Sequence, residues 1–223
     1  MKTITLCLCA ILSLSFVNGI YALIDDFNDG NAKGWDEIQG TWSVKGSEYI
    51  QEDTKWTSTT TNETYTRSFF GDVNWTDYTL EAKVRMNNGG ETAAIVGIFF
   101  RVTDKTEKGD YYYFSLDARA AEGNCLVKSP NTILLENMAK PSKLNQNYVL
   151  KVIVTGDNIQ CYIDDKLEIE VQDKSFPKGA IGVGTFNTEG YFDDVTVNGK
   201  GIAADAVSMQ GKLTTTWAFI RNF

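Results

Sequence analysis

Between residues 148 and 198 apolar and polar residues alternate in short runs cut apart by turn dipeptides, a pattern that leaves room for little except antiparallel β-structure. Leu150, Val152 and Val154 alternate with Lys151 and Thr155, Gly156-Asp157-Asn158 turns the chain, and Ile159, Cys161 and Ile163 alternate with Gln160, Tyr162 and Asp164. Period two with a turn every eight to ten residues predicts an all-β meander within a sandwich. The faces of a sandwich differ in use. One face of each sheet packs on the other sheet, and the outer face or the loops present whatever binds.

Upstream segments repeat the alternation. Leu80, Ala82, Val84 and Met86 face one way and Glu81, Lys83 and Arg85 the other; after a turn at Asn87-Asn88-Gly89-Gly90, Val96, Ile98, Phe100 and Val102 continue the buried set, with Phe99 and Arg101 turned away. In the next strand Tyr112, Phe114, Leu116 and Ala118 face the core, which puts Tyr111, Tyr113, Ser115, Asp117 and Arg119 on the opposite side. A hairpin comes next, from Cys125 to Lys128 and from Thr132 to Glu136. Residues 52–68 are Thr-rich and have the composition of an exposed loop or irregular edge strand, in which Trp56 has no evident core role.

At the N-terminus Lys2 precedes an apolar run from Ile4 to Val17, with small residues at Gly19 and Ala22, the layout of a secretory signal peptide. The run is short for a membrane span and no later segment is apolar enough to be one. The expected organisation is therefore a signal peptide over 1–22, one β-sandwich over 23–198 and a C-terminal tail over 199–223 in a secreted or cell-surface monomer. Cys7 and Cys9 leave with the leader, and Cys125 and Cys161 are able to pair but need not. Cys161 shares the core register of Ile159 and Ile163. Asn62-Glu-Thr and Asn74-Trp-Thr match the glycosylation acceptor pattern.

The chain has no histidine, which removes Ser-His-Asp and Cys-His nucleophilic catalysis and histidine-ligated zinc. Its net charge of −8 opposes nucleic acid as a partner, since phosphate binding needs a basic face.

Three segments, IDDFNDGNAKGWDEIQGTWSVKGSEYIQ, GIFFRVTDKTEKGDYYYFSLD and GYFDDVTVNG, occur in an order and spacing that resembles the concanavalin A-like lectin/glucanase superfamily, in particular its laminin-G-like and family 16 glycoside hydrolase-like domains. The resemblance implies a jelly-roll sandwich of two antiparallel sheets, with the tryptophans of GW...GTW, Trp35 and Trp42, in the core. It also implies a structural Ca²⁺ held by Asp193 of the last strand and by Asp26, with backbone carbonyls or water completing six to eight oxygens. The alternative for Asp193 is capping of backbone amides.

Glycosidases use two carboxylates flanking the scissile bond, and the family 16 pattern Glu-x-Asp-x-x-Glu is absent. A non-catalytic sugar site asks only for aromatic rings and a few hydrogen-bonding groups. Tyr111, Tyr113, Asp117 and Arg119 supply them, with Arg101 and Arg85 expected alongside and Trp56 and Trp75 as loop-borne platforms. The leading expectation is thus a secreted carbohydrate-binding domain. Two alternatives stay open: a hydrolase acting on a 3-keto-disaccharide or polysaccharide, and a laminin-G-like protein-interaction module.

Overall fold

The computed structural model describes residues 22–54, 65–89, 94–118, 123–130, 132–137 and 142–202. Residues 1–21, Trp56, Asn62, Arg119 and all but the first residues of the expected tail lie outside them. The described residues form strands and no helix: β1 (Ala22–Asp25), β2 (Asp36–Gln39), β3 (Trp42–Lys45), β4 (Glu48–Gln51), β5 (Thr66–Phe70), β6 (Tyr78–Gly89), β7 (Ile95–Val102), β8 (Tyr112–Asp117), β9 (Asn124–Lys128), β10 (Thr132–Asn137), β11 (Asn147–Thr155), β12 (Asn158–Ile163), β13 (Lys166–Gln172), β14 (Ala180–Phe186) and β15 (Thr188–Gly199).

They make two antiparallel sheets. The eight-stranded sheet runs β13, β12, β11, β6, β15, β4, β3, with β1 also on β15; the seven-stranded sheet runs β10, β9, β8, β7, β14, β5, β2. This is the jelly-roll sandwich that the alternation and the resemblance predict.

The alternating apolar positions meet between the sheets. Tyr78, Leu80, Ala82, Val84 and Met86 of β6, Leu150, Val152 and Val154 of β11, and Ile159 and Cys161 of β12 pack against Val96, Ile98 and Phe100 of β7 and Tyr112, Phe114 and Leu116 of β8. Each such side chain contributes about 1.5–3 kcal/mol of burial free energy. Trp35 and Trp42 are in this core, where Tyr49 lies 5.4 Å from the Trp35 ring and 4.7 Å from Trp42. Their indole N–H groups are matched: Trp35 Nε1 donates to Asp25 at 2.8 Å and Trp42 Nε1 to the Gln39 carbonyl at 2.9 Å.

Three expectations are corrected by the topology. The turn expected at Asn87-Asn88-Gly89-Gly90 does not begin at Asn87, because β6 runs on as strand through Gly89, and β6 and β7 lie in different sheets. The closing meander holds only for β11, β12 and β13, after which β14 joins the seven-stranded sheet. The alternation of β7 also breaks near its end, where the register with β14 shifts between Ala180 and Gly182 and Arg101 takes φ 52°. A bulge of this kind reverses the facing of the residues beyond it. Val102 therefore leaves the inter-sheet core and packs on the outer side. Cys161 is buried and Cys125 half-buried, on strands of different sheets.

Candidate functional site

The outer face of the seven-stranded sheet carries a second apolar cluster. Phe69, Ile95, Phe99, Val102, Tyr111, Tyr113, Val127 and Ala180 form it, with Ile38, Tyr65 and Phe186 packed against it. At its centre Phe99 stacks on Tyr113 with ring centroids 4.2 Å apart, and meets Tyr111 at 4.9 Å and Phe69 at 5.6 Å edge-on. The rings lie this close to the sheet because the strand beneath lacks side chains. A Cβ on Gly184 would sit 2.6 Å from Phe99 Cε2, and one on Gly182 2.5 Å from Phe69 Cδ1.

Polar groups are set into this aromatic layer. Arg67, wholly buried, holds its guanidinium 4.9 Å from the Tyr111 ring centroid. Burial lowers the Arg67 pKa, opposed by the nearby Tyr111 and Glu107. Burial likewise raises the Tyr111 and Tyr113 hydroxyls, so both phenols are neutral donors. Tyr113 Oη donates to the Gly184 carbonyl at 3.0 Å, while Ser115 and Asp117 are buried further along β8.

Of the residues expected to form one stripe, the structure brings together Tyr111, Tyr113 and Asp117. Their alternation along this segment holds, but all three are buried, because this outer face packs an apolar layer of its own. Arg85 is on a different surface. It projects from β6 on the outer side of the other sheet, where it lies 3.8 Å over the Tyr191 ring and donates to both oxygens of Glu48 at 2.9 and 2.7 Å.

Arg101 is displaced by its bulge. It is 2% exposed and its guanidinium donates to the carbonyls of Phe176, Pro177 and Gly156 and to Asp77 Oδ1 at 3.5 Å, a clamp on loops at one end of the sandwich. Trp75 is half-buried on the loop between β5 and β6. It packs against the core beside Tyr78, over Gly71. Trp56 and Arg119 fall outside the described residues.

The calcium expectation meets a different arrangement. Lys83 Nζ donates to Asp193 Oδ2 at 2.9 Å, and Asp193 Oδ1 accepts from the Asp194 amide at 2.8 Å. Asp26 comes directly after β1 and accepts from the Asn28 amide at 3.4 Å. Among the described residues no group of three or more His, Cys, Asp or Glu side chains converges as a metal site. As placed, Asp193 already has an ammonium as its counter-charge, which a calcium ion there would have to displace.

Arg67, Phe69 and Gln39 do not stand out in the sequence. A signal is present in Tyr65, Arg67 and Phe69 alternating with Thr66 and Ser68, but the Thr-rich stretch before it has loop composition. The inward side of β5 is polar, with Ser68 sharing a hydrogen bond with Tyr49 Oη at 2.8 Å and Thr66 with Thr185 at 2.8 Å, which inverts the usual pattern.

Comparison with known proteins agrees with this architecture. The chain is 25% identical over 173 residues to the levanase of Bacillus subtilis (strain 168), covering 74% of this chain and 23% of that protein. It is 27% identical over 158 residues to an extracellular exo-alpha-L-arabinofuranosidase of Streptomyces chartreusis, covering 69% of this chain and 17% of that one. It therefore spans less than a quarter of the length of either relative. Among solved structures it shares its fold with the carbohydrate binding module CBM66 from Bacillus subtilis, at TM-score 0.63 and 24% identity over 76% of this chain and 98% of that one. The family profile aligns with the sandwich from its first strand to its last, residues 22–198, and on that match the chain belongs to the 3-keto-alpha-glucoside-1,2-lyase-like domains.

Proposed function

We propose that the chain is a secreted carbohydrate-binding domain whose sugar site lies on the outer face of the seven-stranded sheet. The observation that carries this reading is the layer of Phe69, Phe99, Tyr111 and Tyr113 with the Arg67 guanidinium laid against it. The rings are buried, so they serve as the packed apolar floor of the site, and the Arg67 guanidinium set among them is its hydrogen-bond donor. Three further facts support it: the fold shared with a carbohydrate binding module, relatives named as glycan-degrading enzymes of which this chain matches only a part, and one relative named as extracellular.

The test is a glycan array with the full chain, repeated with Arg67→Met and Tyr111→Ala. Binding lost in both variants, with their circular dichroism unchanged, supports the site. Silence of the wild-type chain across fructans, arabinans and glucans overturns it.

The family match favours a second reading, in which the same face acts on a 3-keto-glucoside. Incubation with a 3-keto-α-glucoside decides it. Time-dependent release of the aglycone, abolished by Arg67→Met, would make the chain an enzyme.

A further inference from the structure

We propose that Gln39 is the hydrogen-bonding anchor of this site and engages a vicinal diol of the bound sugar; the inference rests on the carbohydrate reading above. Gln39 ends β2 and is 3% exposed, yet neither its Nε2 nor its Oε1 has a hydrogen-bond partner among the described residues. Buried polar side chains are nearly always matched. The contrast within this protein is with Gln51, also buried, whose Oε1 accepts from Thr185 at 2.7 Å and whose Nε2 donates to Asp53 at 3.3 Å.

The position of Gln39 ties it to the site. It pairs with Arg67 across β2 and β5, and directly opposed residues share a face, so its amide is on the side where Arg67 lies over Tyr111. A bulge between Glu37 and Gln39 leaves Ile38 packed against the same aromatic layer. The backbone beneath is fixed. The Gln39 carbonyl accepts from Trp42 Nε1, and Gly40 comes next at φ 98°, where a Cβ would come within 2.9 Å of Thr66.

A primary amide offers an acceptor and a donor side by side in one plane. Two adjacent sugar hydroxyls match that pair, one donating to Oε1 and the other accepting from Nε2. Arg67 alone supplies only donors, so the acceptor in Gln39 gives the site its selectivity for a hydroxyl pair over a carboxylate.

Gln39→Met keeps side-chain length and removes both polar atoms. If the amide is unmatched in the free chain, its removal stabilises the protein while removing the anchor, the trade-off expected of a binding residue. The experiment is differential scanning calorimetry of wild-type and Gln39→Met chains, with titration of each by the glycan that the wild-type binds best. A higher Tm for the variant together with a loss of affinity of roughly tenfold or more supports the proposal, tenfold being about what one lost net hydrogen-bonding interaction is worth. A lower Tm shows that the fold itself satisfies the amide, and unchanged affinity shows that the sugar does not; either overturns the role of Gln39 and leaves the carbohydrate reading standing. Wild-type silence towards every glycan overturns both.

Discussion

Arg101 shows how one backbone residue changes what a side chain is for. Strict alternation along β7 would aim it out of the sandwich with Phe99; the left-handed φ of 52° turns it instead into a shell of carbonyls from Phe176, Pro177 and Gly156. Its amide donates to Tyr78 Oη at 2.7 Å, and burial raises that phenol, so the donor there stays protonated for the Gly179 carbonyl at 3.3 Å. Removing the guanidinium takes the donor from these partly buried carbonyls and empties the space of a fully buried side chain. Arg101→Ala is therefore expected to cost about 3 kcal/mol in urea denaturation, while the folded fraction keeps its glycan affinity. Loss of affinity without loss of stability would return Arg101 to the binding site. Tyr113→Phe removes one buried hydrogen bond, to Gly184, and is expected to cost about 1 kcal/mol in the same assay.

Among the elements, β6, β8, β11 and β12 are legible in the sequence because their inward residues are apolar and their outward ones polar, or at least alternate cleanly. β5 is not. Its inward Thr66 and Ser68 serve a buried hydroxyl network and its outward Arg67 and Phe69 serve the second cluster, so hydropathy gives the opposite facing. The assignment of strands to sheets is also illegible, since alternation shows which residues share a side of one strand but not which sheet receives it. That is why Arg85 and Tyr113 are expected together and lie on outer faces of different sheets. β14 makes a complementary point. Its glycines are needed by neighbours and not by a turn: a Cβ on Gly184 would stand 2.1 Å from the Thr66 carbonyl as well as against Phe99. Gly184→Ala is expected to destabilise by about 1–3 kcal/mol through overpacking. The check is its Tm against that of the wild-type chain.

On the scale of the whole molecule the two outer faces divide the work. The seven-stranded sheet carries an aromatic layer, whereas the eight-stranded sheet carries ion pairs: Arg85 with Glu48, Lys83 with Asp193, Lys151 with Glu81 and Lys45 with Glu52. Such partly exposed pairs are worth about 0–1 kcal/mol each, so Arg85→Ala should leave glycan binding intact and stability nearly so. The ends of the sandwich are held by more enclosed charge. Asp173 accepts from Lys128 Nζ at 2.6 Å, Tyr112 Oη at 2.5 Å and the Ser175 amide at 2.8 Å. Burial alone would raise its carboxyl, but the hydrogen bonds from Lys128, Ser175 and Tyr112 together hold it well below its ordinary value of 3.8. A carboxyl with a lower pKa folded than unfolded contributes stability that is present above the unfolded value and is withdrawn as pH falls through and below it. Asp173→Asn should thus lower Tm at neutral pH and lose less than the wild type as pH falls from above that 3.8 to well below it, a window set by the unfolded value and the downward shift; parallel Tm profiles would refute the assignment. Calcium is decided on the same scale, because Lys83 is a built-in cation beside Asp193. A chelator is expected to leave the Tm of the wild-type chain unchanged. Lys83→Met removes the ammonium and leaves the Asp193 carboxylate unneutralised, so this variant should melt lower, and restoration of its Tm by millimolar Ca²⁺ would show that the ammonium stands in for a metal. A fall in wild-type Tm on chelation would show instead that the protein holds a calcium that Lys83 does not replace.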